Sequence, residues 1–335
     1  MPIPHAKRPE VDRALQAAFG TAEMDSLATV SGGLSGALTY RIRVGGIPYL
    51  LRVETQRDGF KDPDRWYQCM AIAAHACLAP RVRYADPADG VAIMEFIPEQ
   101  SWALDYAGTR EDLIVEAAQA IRALHQTPAF PPLVDYMDGM DAVVAGFEAT
   151  GLLAPEATSE LLDHYGSVRA AYRTDPADLV SSHNDLNPRN ILYDGRRLWF
   201  IDWESSFLAD RHVDLATLAN FIVHTPAEED LLLRTYFGQA PDALQRARHA
   251  VMRQVNHLFY GLIMLTAVSR MRPGAQAPGG LEGPSLAEVH QGIGDGSFLL
   301  DGWEGQVVYG KARLAQALAG MKTEAFAQAV SVLTA

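Results

Sequence analysis

Cysteine is nearly missing: Cys69 and Cys77 are the two thiols in 335 residues. Two thiols cannot build a framework of bridges. Their spacing on an expected helix reads as buried or half-buried thiols of a reducing compartment. Positive charge is short as well, with 28 Lys and Arg against 41 Asp and Glu and a formal net charge of −13. Phosphate backbones need a basic surface, so this balance argues against a nucleic-acid partner while leaving room for a local basic pocket. Long apolar runs are absent too. The stretch "HLFYGLIMLTAV" (257–268) is too short for a membrane span and reads as a buried helix. The opening "MPIPHAKRPEVDRALQAAF" has no apolar core followed by a small-residue cleavage site. These absences together predict a cytoplasmic chain with no membrane span.

What is present fits two lobes, since 335 residues can supply a core to each. Hydrophobic content of 48% and charged content of 21% are ordinary for a globular chain. A short amphipathic helix is expected over 9–19. Next, "LATVSGGLSGALTYRIRVGGIPYLLRVET" (27–55) alternates β-branched and aromatic residues between glycine pairs, which predicts three antiparallel strands. A helical pattern over 62–78 stops before Pro80, and strands near 81–84 and 91–96 flank the turn "DPADG". From there helical periodicity dominates: 110–126, 156–173, 211–223, 227–237, 241–270 and several segments beyond 285. The segment "RPGAQAPGGLEGPS" (272–285) resists regular structure and is expected to cover a surface or a pocket mouth. The fold class is α+β: a small antiparallel-sheet lobe over 1–97 and a larger, mainly helical lobe over 98–335.

One β interruption in the helical half carries the chemistry, "SSHNDLNPRNILYDGRRLWFIDWESS" (181–206). Asp194-Gly195 is a two-residue hairpin signal, and such a turn would pair Ile191 with Leu198 and Asn190 with Trp199. Asp202 would then leave the ribbon where Asn190 enters it, with Asp185 five residues upstream in a loop kinked by Pro188. Mg2+ takes carboxylate and amide oxygens and reaches proteins through one or two carboxylates plus substrate phosphates. A further carboxylate could orient a hydroxyl and accept its proton. That combination suits phosphoryl transfer, where positioning and charge neutralisation do most of the work. Taken singly, Asp185 reads equally as an Asx-turn residue and Asp202 as a helix cap.

"HNDLNPRNIL" followed by "FIDWE" resembles the catalytic loop and metal segment of the aminoglycoside phosphotransferase and choline kinase superfamily, relatives of the protein kinases. With "DRHVDLATLANF" after it, the wording is closer to the choline/ethanolamine and thiamine kinase branch. The resemblance runs from about residue 27 to about 270 and implies a bilobal protein-kinase-like fold that uses ATP and Mg2+ to phosphorylate a small hydroxyl-bearing substrate. It implies Asp185 as catalytic base, Asn190 and Asp202 as metal ligands, and His183 as a support of the loop. Asp214 would cap a helix starting at Leu215 and brace that loop. Ser31, Gly32, Gly33 and Ser35 would form the turn over the phosphates, and Arg52 would grip phosphate oxygens. Backbone groups of Glu95 and Ile97 would meet adenine, with Met94 and Phe96 as apolar walls or core.

Departures from the family pattern are equally informative. The helix position expected to hold a glutamate against the strand cation holds Gln68, for which Glu54, Asp62 or Asp64 could substitute. Choline kinases surround a quaternary ammonium with aromatic faces; here Ser205 and Ile263 replace two expected aromatics while Tyr260 keeps one. Phe207, Phe259, Trp303 and Tyr309 could rebuild a cage, or simply pack in the core. Glu204 would lie near the substrate and favour a cationic one. Choline fits this pattern poorly; a small alcohol or amino alcohol fits better. Two other readings stand beside the kinase: a catalytically weak nucleotide-binding regulator, and an aminoglycoside-type antibiotic kinase.

Overall fold

The computed structural model describes residues 2–30, 37–57, 62–98 and 106–334. The candidate phosphate turn, Ser31, Gly32, Gly33 and Ser35, lies outside them. The chain forms two compact units interleaved in sequence: residues 1–133, 180–208 and 223–238 make the first, and 134–179, 209–222 and 239–335 the second.

The first unit contains a five-stranded antiparallel sheet of β1 (Ser26–Thr29), β2 (Leu38–Val44), β3 (Ile47–Val53), β4 (Val82–Asp86) and β5 (Val91–Glu95), in the order β1-β2-β3-β5-β4. Alternation builds it. Tyr40 and Ile42 point inward and Arg41 and Arg43 outward, as a period of two demands. Gly45 and Gly46 both hold positive φ (58° and 77°), the conformation a two-residue hairpin needs, so Val44 pairs with Ile47. Helix α1 (Arg8–Phe19) lays Val11 and Leu15 on Tyr40, Ile42, Leu51, Val53 and Ile93. With Leu51 and Val53 given to that core, Arg52 and Glu54 share the opposite face.

Helix α2 (Pro63–His75) starts at the Asp62 cap, which accepts from the Asp64 N–H at 3.1 Å. The helix ends earlier than its periodicity suggests. Cys77 falls in a left-handed turn (φ 59°) and is exposed, whereas Cys69 is buried as expected. Helix α3 (Arg110–His125) opens on a Thr109–Asp112 capping box.

Two short strand pairs follow, Leu179–Ser182 (β6) with Phe207–Asp210 (β9), and Ile191–Tyr193 (β7) with Leu198–Phe200 (β8). The β7–β8 register differs from the sequence expectation. Ile191 pairs with Phe200 and Tyr193 with Leu198, leaving four loop residues instead of two. The Asp194 carboxylate explains the longer loop: Oδ1 accepts from the N–H groups of Arg196 (2.8 Å) and Arg197 (2.9 Å), and Oδ2 from Trp199 Nε1 (2.8 Å). A slip of two residues keeps every side chain on its face, so the polar end of the ribbon survives the correction. The Ile201 N–H donates to the Asn190 carbonyl at 3.0 Å.

The second unit is helical: α4 (Tyr136–Glu148), α5 (Ser159–Ala171), α6 (Arg211–Ile222), α8 (Ala243–Ser269), α9 (Leu286–Asp295), α10 (Trp303–Met321) and α11 (Glu324–Thr334), while α7 (Pro226–Phe237) belongs to the first unit. Val251, Val255, Leu258, Leu262 and Leu265 of α8 recur every three or four residues and are fully buried. Gly310 of α10 sits where an added Cβ would lie 2.7 Å from Leu265, so glycine sets the spacing of α8 and α10. Helix α4 has no counterpart among the expected elements, because Gly139 and Gly146 dilute its pattern. Asp214 is buried inside the first turn of α6, not at its cap; Asp210, before the helix, receives the His212 N–H at 2.8 Å instead. Residues 276–282 line an open surface depression together with Ala154, Glu160 and Leu318. No helix among the described residues is long and apolar enough to cross a membrane.

Candidate active site

The first unit carries a buried ionic hub. Arg52 Nε donates to Glu54 Oε1 at 2.7 Å, Nη1 donates to Asp202 Oδ1 at 3.0 Å, and Nη2 meets Glu204. The Trp66 ring covers the guanidinium at 4.9 Å. Burial disfavours the charge on Arg52, yet Asp202 and Glu54 more than offset it and raise its pKa. Among the three candidates to replace the missing helix glutamate, the structure selects Glu54. The reason is local: Arg52 and Glu54 are i and i+2 on one strand, hence neighbours on one face. Asp62 caps α2, Asp64 is exposed, and Gln68 also faces solvent.

Asp202 sits on the turn after β8 with φ 65° and ψ 69°, a left-handed conformation that a side chain makes costly. It makes no side-chain cap, so the capping reading does not describe it; its carboxylate goes to Arg52. Helix α2 holds the turn in place. Arg65 Nη2 donates to the Glu204 carbonyl at 2.7 Å and Nη1 to the Ser206 carbonyl. Asn184, also left-handed (φ 63°), donates Nδ2 to the Ser205 carbonyl at 3.0 Å. His183 is fully buried and donates Nε2 to the Ile201 carbonyl at 2.9 Å, the loop support expected of it.

Asp185 is half-buried, and two amides fix its carboxylate. Oδ1 accepts from Asn187 Nδ2 and Oδ2 from Asn190 Nδ2, both at 2.9 Å, and Asn190 Nδ2 also reaches the Asp185 carbonyl at 2.9 Å. These neutral amide donors orient the carboxylate. With Nδ2 spent in this way, the amide oxygen is the group Asn190 has left for a ligand. Asn187 had no role from sequence, although as an amide two residues from Asp185 it had the reach.

Glu95 donates its N–H to the Arg81 carbonyl at 2.9 Å and accepts on Oε1 from Arg83 at 2.9 Å, while Ile97 lies half-buried just beyond β5. Met94 is buried, and Phe96 is half-buried under Arg41 at 4.5 Å. The candidate substrate residues divide between the two units. Glu204 is committed to Arg52. Phe207, in the first unit, is buried with Arg65 6.0 Å from its ring. In the second unit Trp303 lies under Arg272 at 4.7 Å, whereas Tyr260 packs against Phe221 and Phe259. Trp303 and Tyr260 therefore belong to different aromatic groups.

Among the described residues, the second unit's Asp178, Asp210 and His212 also form a cluster with metal-ligand chemistry. Arg211 Nε lies 2.9 Å from Asp178, Arg248 approaches both aspartates at 3.6 Å, and Tyr172 OH donates to Asp210 at 2.8 Å. Two arginines already balance two carboxylates there, and the cluster is a structural network.

A small antiparallel sheet and a helical remainder, with Asp185 held by two amides and Asp202 paired to Arg52, suit a kinase-like phosphotransferase. Comparison with known proteins agrees: residues 26–251, more than half of the chain, match the phosphotransferase enzyme family, to which this chain therefore belongs. Protein LicA of Haemophilus influenzae is 46% identical over 57 residues, 17% of this chain and 21% of that protein. Among solved structures, a choline/ethanolamine kinase family protein from Mesorhizobium loti superimposes with a TM-score of 0.72 at 22% identity, covering 98% of this chain and 99% of that one. Choline kinase LicA from Streptococcus pneumoniae gives 0.62 at 15% identity, with coverage of 94% and 99%. The expected α+β, kinase-like fold is borne out.

Proposed function

We propose that this chain is an ATP- and Mg2+-dependent kinase that moves the γ-phosphoryl group to a hydroxyl of a small metabolite, an amino alcohol or a compound like it. Residues 1–97 would act as the nucleotide-binding lobe and 98–335 as the catalytic and substrate-binding lobe. The observation that carries this reading is the Asp185 carboxylate, oriented by two side-chain amides on the same loop as Asn190, in a unit where Asp202 is ion-paired to Arg52. A solved LicA complex with AMP supports a nucleotide as the shared ligand class.

The donor set fits a hard divalent cation. Three carboxylates surround one guanidinium, an excess of two negative charges, and the oxygens of Asn190 and Asp202 are the ligand types Mg2+ selects. Asn190 and Asp202 would hold the ion and Arg52 the phosphates. When bound, Mg·ATP supplies the phosphoryl group and the charge neutralisation its transfer needs. Asp185 would accept a hydrogen bond from the acceptor hydroxyl, aim its oxygen in line, and take its proton as the bond to phosphorus forms. Ser31, Gly32, Gly33 and Ser35 would cover the phosphates, and Glu95 and Ile97 would offer backbone groups to adenine.

The regulator reading rested on Gln68 leaving Arg52 without a counter-charge. Glu54 supplies one, which favours the enzyme. Asp185→Asn keeps the shape and removes the base. Turnover is expected to fall by about a thousandfold with Mg·ATP affinity unchanged, and a variant with normal turnover would refute the role.

A further inference from the structure

Helix α2 of the first unit brings a buried cation to the turn that follows Asp202. Arg65 is 6% exposed, and a guanidinium so deep must be hydrogen-bonded. Its Nη2 donates to the Glu204 carbonyl at 2.7 Å and its Nη1 to the Ser206 carbonyl. Cys69, one helical turn on and on the same face, donates its thiol to the Ser206 carbonyl at 3.5 Å. Between the two arginine bonds, Asn184 Nδ2 takes the Ser205 carbonyl at 3.0 Å. Side chains therefore hold three successive carbonyls, 204 to 206, just beyond a residue kept left-handed, Asp202 at φ 65°.

Glu204 is held at both ends. Its carboxylate meets Arg52, and its carbonyl meets Arg65. The Arg52 guanidinium lies against Trp66, the α2 residue next to Arg65. Adjacent residues of one helix thus touch the backbone of the turn and the cation paired to its carboxylates. We infer that Arg65 is a positioning residue, which fastens the turn bearing Asp202 and Glu204 to helix α2 and so sets where those two carboxylates stand. Gln68, where a helix acid was expected against the strand cation, cannot tie α2 to the hub by charge. Arg65 ties it to the main chain of the turn instead. Bonds from a cation to carbonyls are about twice as strong as neutral ones. Backbone strain of the kind seen at Asp202 persists only where the surroundings over-determine it. A guanidinium spans two carbonyls with one planar fork, which the single nitrogen of lysine cannot do. As a statement about metal binding, the inference rests on the kinase reading; as a statement about the turn, it stands on the geometry.

The test loosens the fastening in the full chain. Arg65→Met removes both donors, Arg65→Lys keeps one nitrogen, and Val11→Ala weakens the sheet core of the same unit from α1. Amide hydrogen exchange over residues 201–208 is measured without ligand, and Mn2+ binding in the presence of ATP is read by electron paramagnetic resonance. In Arg65→Met the segment is expected to exchange about tenfold faster than in wild type. Mn2+ is expected to bind that variant about tenfold more weakly, as when a group supporting a metal ligand is lost. Arg65→Lys should fall between, and Val11→Ala should leave both readouts near wild type. Exchange over 201–208 no faster in Arg65→Met than in Val11→Ala would overturn the inference. So would a wild-type Mn2+ affinity that survives in a variant with a loosened turn. If Arg65→Met does not fold, Arg65→Lys decides: faster exchange confined to 201–208 supports the fastening, and wild-type exchange refutes it. A wild type with no affinity for Mn2+ and ATP, beside a turn loosened by Arg65→Met alone, would sink the kinase reading and leave the fastening in place.

Discussion

A guanidinium with three carboxylates around it is worth less than three ion pairs, because each carboxylate also repels the other two. Removing one partner from a lone buried pair costs about 3–5 kcal/mol. At Arg52, with two acceptors left, Glu54→Gln is expected to cost about 1–2 kcal/mol and to lower kcat/KM about tenfold by loosening Arg52. Gln68→Ala, at an exposed position, should stay within about 0.5 kcal/mol of wild type. Urea denaturation and ATP turnover on the two variants check this, and equal damage from both would mean that Gln68, not Glu54, serves Arg52. Asp202 tests the backbone in the same way. At φ 65° a Cβ is unfavourable, so Asp202→Gly should be about 1 kcal/mol more stable than Asp202→Ala although both are expected to be inactive. An alanine variant as stable as the glycine one would show that the turn stores no strain.

The β7–β8 hairpin shows how an element can be placed correctly for a partly wrong reason. Asp194 anchors its loop through two backbone N–H groups and the Trp199 indole. Asp194→Ala should therefore cost about 1–2 kcal/mol; an unchanged urea midpoint would contradict the anchoring. The sheet and the hairpin were legible because period-two alternation and paired glycines act over a few residues. The four-residue loop was not, because Asp-Gly suits both lengths and a single side chain decides. Helix α4 was hidden by its two glycines, and its Met137, Met140 and Phe147 find a core only once α8 is in place. For the candidate site, motif spacing pointed to Asp185, Asn190 and Asp202, and the family resemblance added His183. The counter-charge of Arg52 was narrowed to three acids that only the strand register could separate. Arg65 escaped notice because its acceptors are the carbonyls of Glu204 and Ser206, about 140 residues away along the chain, and carbonyls carry no sequence signal.

At the scale of the whole molecule, acid should be destabilising well before the carboxylates titrate. Burial, and then the charge of Arg313, keeps His257 and His290 neutral in the folded state to well below 6.5, yet both protonate near 6.5 when unfolded. The unfolded chain thus binds more protons below 6.5, and stability falls with pH from there down to about 4. Asp210, held below the ordinary carboxylate range by His212 and Tyr172 despite its burial, extends the loss at still lower pH. Urea midpoints at pH 7.5, 6 and 5 should decline in that order, and a flat profile would contradict neutral buried imidazoles. The central claim is the transfer itself. Its most direct test is phosphorus NMR of the full chain with ATP, Mg2+ and a pool of hydroxyl-bearing metabolites. The expected result is a phosphomonoester resonance that grows as the γ-phosphate signal of ATP shrinks, is lost on chelation of Mg2+ and is absent with Asp185→Asn. An ATP spectrum that stays unchanged across the pool, or the same product from Asp185→Asn, would contradict it.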